Sequence, residues 1–170
     1  NIAGATQRVD KVVGTHFFSP VPLMRLCEII TGVQTSDETI ATAKTWAESV
    51  GKTTVLVKKD HAGFIANRLG LPMSLEAIRM LEAGVANPED IDNAMRFGFN
   101  HPMGPLELAD FTGIDVLLNA SMAIYNDTKD PKYFPPPLMQ RMVESGLCGR
   151  KTGKGFYDYA SGKKVSYWKS

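Results

Sequence analysis

The chain has 170 residues, 44% of them hydrophobic, and its 19 Lys and Arg against 18 Asp and Glu leave a formal net charge of +1. That balance excludes the broad basic field by which a protein holds nucleic acid, and there is neither an apolar run of membrane-spanning length nor a secretory signal at the start. Cys27 and Cys148 lie far apart without CxxC spacing or clustered histidines, which points to two reduced thiols and to no metal site.

Asn1 to Thr6 is a short amphipathic stretch that reads as the end of a helix. Val12 to Phe18, β-branched and aromatic, predicts a strand that carries His16 near its end, and Pro20 and Pro22 stop it. Arg25 to Ile30 predicts a second strand with Glu28 inside it. The connection is too short for a parallel crossover, so the two strands are predicted to be antiparallel neighbours, with Glu28 folding back toward His16. Two uses of the pair stay open on these residues alone. Glu28 could simply satisfy a strand-end histidine, or it could orient a general base, since a neighbouring carboxylate favours the imidazolium.

Thr35-Ser-Asp-Glu38 predicts a helix start, capped by Thr35 or Ser36 with Glu38 returning the bond. Ile40, Ala43, Ala47 and Val50 form its expected core face, and Gly51 stops it. Thr53 to Val57 predicts a third strand, so that residues 1–60 read as the last helix and strands of an α/β domain with an exposed sheet edge. From Ala62 onward the pattern is helical. Phe64 to Ala83 is the main helix, with Ile65, Leu69, Ile78 and Leu81 as core positions and Pro72 predicting a kink or break. Asn87-Pro88-Glu89-Asp90 opens the next helix with a cap, an N1 proline and first-turn acids. Pro105 to Phe111 and Ile114 to Tyr125 follow, hinged near Gly113, and Pro137 to Glu144 ends before Gly146. Residues 61–160 are thus expected to pack as one helical domain, and 161–170 to be a poorly ordered polar tail.

Four motifs occur in sequence order: Gly14-Thr-His16-Phe-Phe-Ser19 through Glu28-Ile-Ile30, Gly63-Phe-Ile-Ala-Asn67-Arg68, His101-Pro-Met-Gly-Pro-Leu-Glu-Leu108 with Asp110, and Gly149-Arg-Lys-Thr-Gly-Lys-Gly-Phe-Tyr157. Together they resemble the L-3-hydroxyacyl-CoA dehydrogenases, and most nearly the 3-hydroxybutyryl-CoA dehydrogenase type. The resemblance implies an α+β chain, the end of a Rossmann-type NAD-binding domain followed by an all-α domain like the C-terminal domain of 6-phosphogluconate dehydrogenase. It further implies an acyl-CoA substrate, NAD as cofactor with NADP open, a homodimer through the helical domain, and a cytoplasmic or mitochondrial-matrix setting. Within that resemblance His16 is the catalytic base and Glu28 its orienting partner. Asn67 matches an asparagine near the substrate's reacting oxygen, and Ser19, where the family usually has asparagine, is the candidate cofactor contact. His61, His101, Glu107 and Asp110 are expected in structural roles, and Arg150, Lys151 and Lys154 as solvated charge, with a CoA phosphate as their less favoured use. No G-x-G-x-x-G occurs, so the chain is expected to be the C-terminal part of a longer enzyme, lacking most of the Rossmann domain and inactive alone. The alternatives are a non-enzymatic dimerisation module and a related hydroxyacid or sugar-acid dehydrogenase of the same plan.

Overall fold

The computed structural model describes residues 2–168, and the chain divides into two compact units between Ala66 and Asn67. In the first, strands β1 (Val13–Phe17), β2 (Leu26–Thr31) and β3 (Thr53–Val57) form a sheet in the order β1-β2-β3. β1 pairs antiparallel with β2, in a register that sets His16 opposite Glu28 as the short connection predicts. β2 and β3 are parallel, which requires a crossover, and helix α1 (Asp37–Ser49) supplies it. Side chains alternate across the pleat. Val13, Phe17, Cys27 and Ile29 pack with Ala43 and Ala47 of α1, which leaves Gly14, His16, Glu28 and Ile30 for the opposite face.

Three local expectations are corrected here. Residues 3–5 and 9–11 form single 3-10 turns rather than a helix end, Asn1 lying outside the described residues. The cap of α1 is Ser36, one of the two residues expected, its Oγ accepting from the Thr39 N–H; the part corrected is the return bond from Glu38, which does not form among the described residues. Thr35 is used elsewhere, accepting from Gly32 N–H and donating to the Val12 carbonyl. Val50, expected in the core, is the C-cap of α1 and 54% exposed.

The second unit packs helices α2 (Ala66–Glu82), α3 (Pro88–Gly98), α4 (Pro105–Thr112), α5 (Ile114–Thr128) and α6 (Pro137–Glu144) around Leu75, Ile78, Leu106, Ile114, Met139 and Phe156. α2 runs through Pro72 without a break, a break being one of the two outcomes expected there and a kink the other. Proline strips the carbonyl four residues earlier of its helical donor, and here the buried Tyr133 hydroxyl donates to that Arg68 carbonyl instead. The buried stripe of α2 is Leu71, Ser74, Leu75, Ile78 and Leu81. Ile65 and Leu69, expected in the core, lie off it, and Leu69 is 73% exposed.

Two buried carboxylates organise this unit. Asp92 of α3 accepts from the backbone N–H groups of Leu106 and Glu107 and from the Tyr157 hydroxyl. It therefore caps α4, whose own N-cap, Gly104, has no side chain to offer. A Cβ on Gly104 would stand 2.3 Å from Asp92, so the glycine of the His-Pro-Met-Gly-Pro motif is there to let the carboxylate in. Asp110 accepts from the Phe156 and Tyr157 N–H groups and from the Tyr159 hydroxyl. Gly155 admits it in the same way, a Cβ there falling 2.0 Å from Asp110 Oδ1.

The tail expected to be poorly ordered is instead tied down as far as residue 168. Asp158 pairs with Val165, the Trp168 indole donates to the Phe156 carbonyl and the Tyr167 hydroxyl to that of Gly155. The composition reads as polar, but its two aromatic rings have both apolar surface to bury and a donor to satisfy.

Burial pushes the Asp110 carboxyl up to about 6, against the pull of its three donors, and raises Asp92 in the same direction. The unfolded chain releases the Asp110 proton near the ordinary value of about 3.9, so between about 4 and 6 the folded state binds more protons than the unfolded one. Asp110 then favours folding fully below that window, and the contribution, of the order of 3 kcal/mol, is lost as pH rises through about 6. Urea unfolding at pH 4.5, inside that window, and at pH 7 is expected to show about 2 kcal/mol of this contribution in the native protein and much less of it in Asp110→Asn. An equal difference in both would remove Asp110 from the account.

Candidate active site

The hairpin of β1 and β2 turns through residues 18–25, and the last ladder pairs before it are His16 with Glu28 and Phe17 with Cys27. On the face away from α1, the His16 Nδ1 lies 2.6 Å from Glu28 Oε2. The other oxygen, Oε1, accepts from the backbone N–H groups of Ile65 and Ala66, each at 3.0 Å. Glu28 is wholly buried, and these three contacts are what a buried carboxylate requires.

The two backbone donors come from a tight turn. Gly63 (φ +78) and Phe64 (φ +47) are both left-handed, and the Phe64 N–H bonds back to the His61 carbonyl. Glycine takes that conformation freely, whereas a phenylalanine does so only under strain held by its surroundings. Here the strained residue packs its ring on His16 at 5.2 Å between centroids, while Phe18 packs on it at 4.9 Å. The imidazole is thus held by two aromatic rings and a carboxylate.

A carboxylate can only accept, so the proton between the two groups belongs to Nδ1; in the neutral ring Nε2 then carries the lone pair, and it has no partner among the described residues. The His16 side chain is 28% exposed. It lines a cavity of about 780 Å³ within this unit, together with Gly14, Ile30, Gly32, Asp60 and Phe64. A neutral imidazole in this tautomer, opening on a cavity, is a proton acceptor.

The remaining candidates are placed as follows. Ser19 is exposed in the hairpin loop, three residues beyond His16. Asn67 opens the second unit on the first turn of α2; its side chain is half-buried and makes no hydrogen bond among the described residues. His61 contributes to the turn that precedes α2, and His101 donates its backbone N–H to the Met95 carbonyl. The basic loop is neutralised within its own unit. Arg150 pairs with Glu107 at 2.9 Å and lies over the Phe111 and Tyr159 rings, Lys151 pairs with Asp115 at 2.6 Å and Lys154 with Asp158 at 3.7 Å. Among the described residues no cluster of three His, Cys, Asp or Glu side chains is placed to hold a metal, and no helix is long and apolar enough to cross a membrane.

Sequence reasoning missed the part played by Phe64 and the two amides that follow it. The signal was Gly63 immediately before an aromatic residue, which marks a left-handed turn whose next N–H groups point out of the chain's path.

Comparison with known proteins gives the same family for residues 1–61 and 63–159. The family model for the 3-hydroxyacyl-CoA dehydrogenase C-terminal domain matches residues 63–159, and that for the NAD-binding domain of the same enzymes matches residues 1–61. The second match corrects the expectation that the chain lacks most of that domain, since residues 1–61 are themselves assigned to it. The chain is 49% identical over 158 residues to a probable 3-hydroxybutyryl-CoA dehydrogenase of Bacillus subtilis, covering 93% of this chain and 55% of the relative. It is 42% identical over 160 residues to the mitochondrial hydroxyacyl-coenzyme A dehydrogenase of Sus scrofa, covering 94% and 51%. The crystal structure of (S)-3-hydroxybutyryl-CoA dehydrogenase from Ralstonia eutropha is similar with a TM-score of 0.86 at 46% identity, covering 94% of this chain and 56% of that one. The chain thus spans about half the length of the curated relatives it matches.

Proposed function

Because the chain belongs to the 3-hydroxyacyl-CoA dehydrogenase family, we propose that it serves the NAD-dependent interconversion of (3S)-3-hydroxyacyl-CoA and 3-oxoacyl-CoA, with a short-chain 3-hydroxybutyryl substrate. The observation that carries this reading is the 2.6 Å contact from His16 Nδ1 to a buried, fully satisfied Glu28, which leaves Nε2 open to the cavity.

Oxidising a secondary alcohol requires a hydride to leave carbon while a proton leaves oxygen. NAD supplies the hydride acceptor when bound. The residues present suit its reacting end: a base stands at the wall of a cavity whose floor includes Gly14, the one β1 position without a side chain. His16 takes the hydroxyl proton at Nε2, a contribution typically worth about 10²- to 10⁴-fold in rate. Glu28 keeps the proton on Nδ1 and stabilises the imidazolium that forms. Phe18 and Phe64 limit water around the ring. Asn67 is assigned the amide donor to the substrate's reacting oxygen, a role consistent with its unpartnered side chain, and Ser19 a cofactor contact made by a short hydroxyl. A homodimer through the helical unit belongs to the same reading, supported by the exposed Leu69, Phe97 and Phe99.

The test is NADH oxidation by the full-length protein, with acetoacetyl-CoA as substrate, free acetoacetate as the competing one, and NADPH as the competing cofactor. Turnover of the CoA ester with NADH is the expected result, and turnover of the free acid alone would overturn the assignment. The 170 residues alone, which carry no glycine-rich phosphate-binding turn, are expected to show no turnover.

A further inference from the structure

The loop joining the two strands of the active-site hairpin is held from a third place in the chain. Lys52, the residue before β3, extends its ammonium to the carbonyl of Met24 at 2.9 Å and to that of Val21. β3 pairs with β2 from Leu26 opposite Thr53, and the Thr53 N–H bonds the Arg25 carbonyl, so Lys52 stands beside the end of the loop where it enters β2. Lys52 makes no ion pair among the described residues. Two of its three donors are spent on loop carbonyls. Pro20, Val21, Pro22, Leu23 and Met24 have little of their own to fix them. Their internal bonds are those from the Leu23 and Met24 N–H groups to the Pro20 carbonyl, and Val21, Leu23 and Met24 are exposed. The loop begins at Phe18, one residue past the last ladder pair and two past His16, and the Phe18 ring packs on the His16 imidazole.

We propose that Lys52 is a positioning residue for the active site: by clamping the Val21 and Met24 carbonyls it fixes the hairpin loop, and through the loop the Phe18 ring and the direction of His16 Nε2. The assignment of the reaction itself is taken from the proposed function. A base displaced by about 1 Å can cost on the order of 10²-fold in rate, so loss of the clamp falls on kcat more than on KM.

The experiment compares the full-length protein with Lys52→Met, which keeps the aliphatic stem, and Lys52→Arg, which keeps charge and donors. Amide hydrogen exchange is followed over residues 18–25, and kcat and KM are measured with acetoacetyl-CoA. Lys52→Met is expected to exchange faster at the loop than the parent, with kcat lower by about 10- to 100-fold and KM little changed, and Lys52→Arg to restore both. Unchanged exchange in Lys52→Met would overturn the clamp. Faster exchange with unchanged kcat would overturn the positioning role and leave Lys52 purely structural. If the parent protein turns over no CoA ester, the proposed function fails; the exchange comparison still upholds or overturns the clamp.

Discussion

Replacing His16 with glutamine in the full-length protein is expected to lower kcat by about 10²- to 10⁴-fold, with KM changed only a few-fold. Glutamine keeps a polar side chain of similar reach between Phe18 and Phe64 but has no lone pair of comparable basicity to offer the cavity. The companion change Glu28→Gln is the sharper probe of the dyad. Its amide oxygen must stay with the Ile65 and Ala66 N–H groups, which can only donate, so its NH₂ is turned toward His16 Nδ1. That nitrogen must then accept, the ring proton moves to Nε2, and the base faces the cavity in the wrong tautomer. A loss of at least about 10² in kcat is expected from a change that leaves the volume of the side chain almost the same. Steady-state kinetics with acetoacetyl-CoA decide it. Undiminished turnover in either variant would remove that residue from the chemistry.

The largest effect on stability is expected from Asp92→Ala. The carboxylate is 1% exposed and holds two backbone donors at the start of α4 and the Tyr157 hydroxyl. Removing it strands two buried donors and one part-buried donor, the buried ones at about 1–3 kcal/mol each, and opens a cavity besides. Against this stands the relief of a carboxyl whose burial already disfavours its charge. A net loss of about 3–5 kcal/mol is expected, comparable with much of the total stability of a domain this size. Thermal unfolding followed by circular dichroism would register it as a midpoint lower by roughly 10 °C or more. Tyr157→Phe, which strips one donor and strands none, is expected to cost only about 1 kcal/mol. A fall in Asp92→Ala no larger than that would show that the carboxylate is dispensable.

The hairpin pair was legible in the sequence because it is local: twelve residues, a proline-marked turn and the two-residue period of a strand are enough to set His16 against Glu28. The helix boundaries were legible for a similar reason, since Asn87-Pro88 and Gly113 punctuate the chain where the helices turn. What could not be read was everything settled by partners far along the chain. Pro72 sits in an unbroken helix because Tyr133 serves the orphaned carbonyl, and no window around residue 72 contains that hydroxyl. Asp92 was not singled out from the sequence, and only the packed fold shows it acting as the cap of another helix. The tail misled through composition, because its lysines and serines outnumber the two rings that anchor it. Glu28 is the intermediate case: its histidine is foreseeable, whereas its two amide donors lie 37 and 38 residues away.

The bond from Tyr157 to Asp92 spans 65 residues, and that distance acts on the order of events during synthesis. α3 and α4 leave the ribosome with the Asp92 carboxylate already able to cap α4, but with neither tyrosine in reach of the two buried acids. Asp110 meets its donors only when residues 156–159 have emerged. Until then Asp92 lacks one of its three donors and Asp110 all three, and burying an acid without its partners is costly. The segment from Gly149 to Tyr159 thus completes the hydrogen bonding of both buried acids, which lie on helices made long before it.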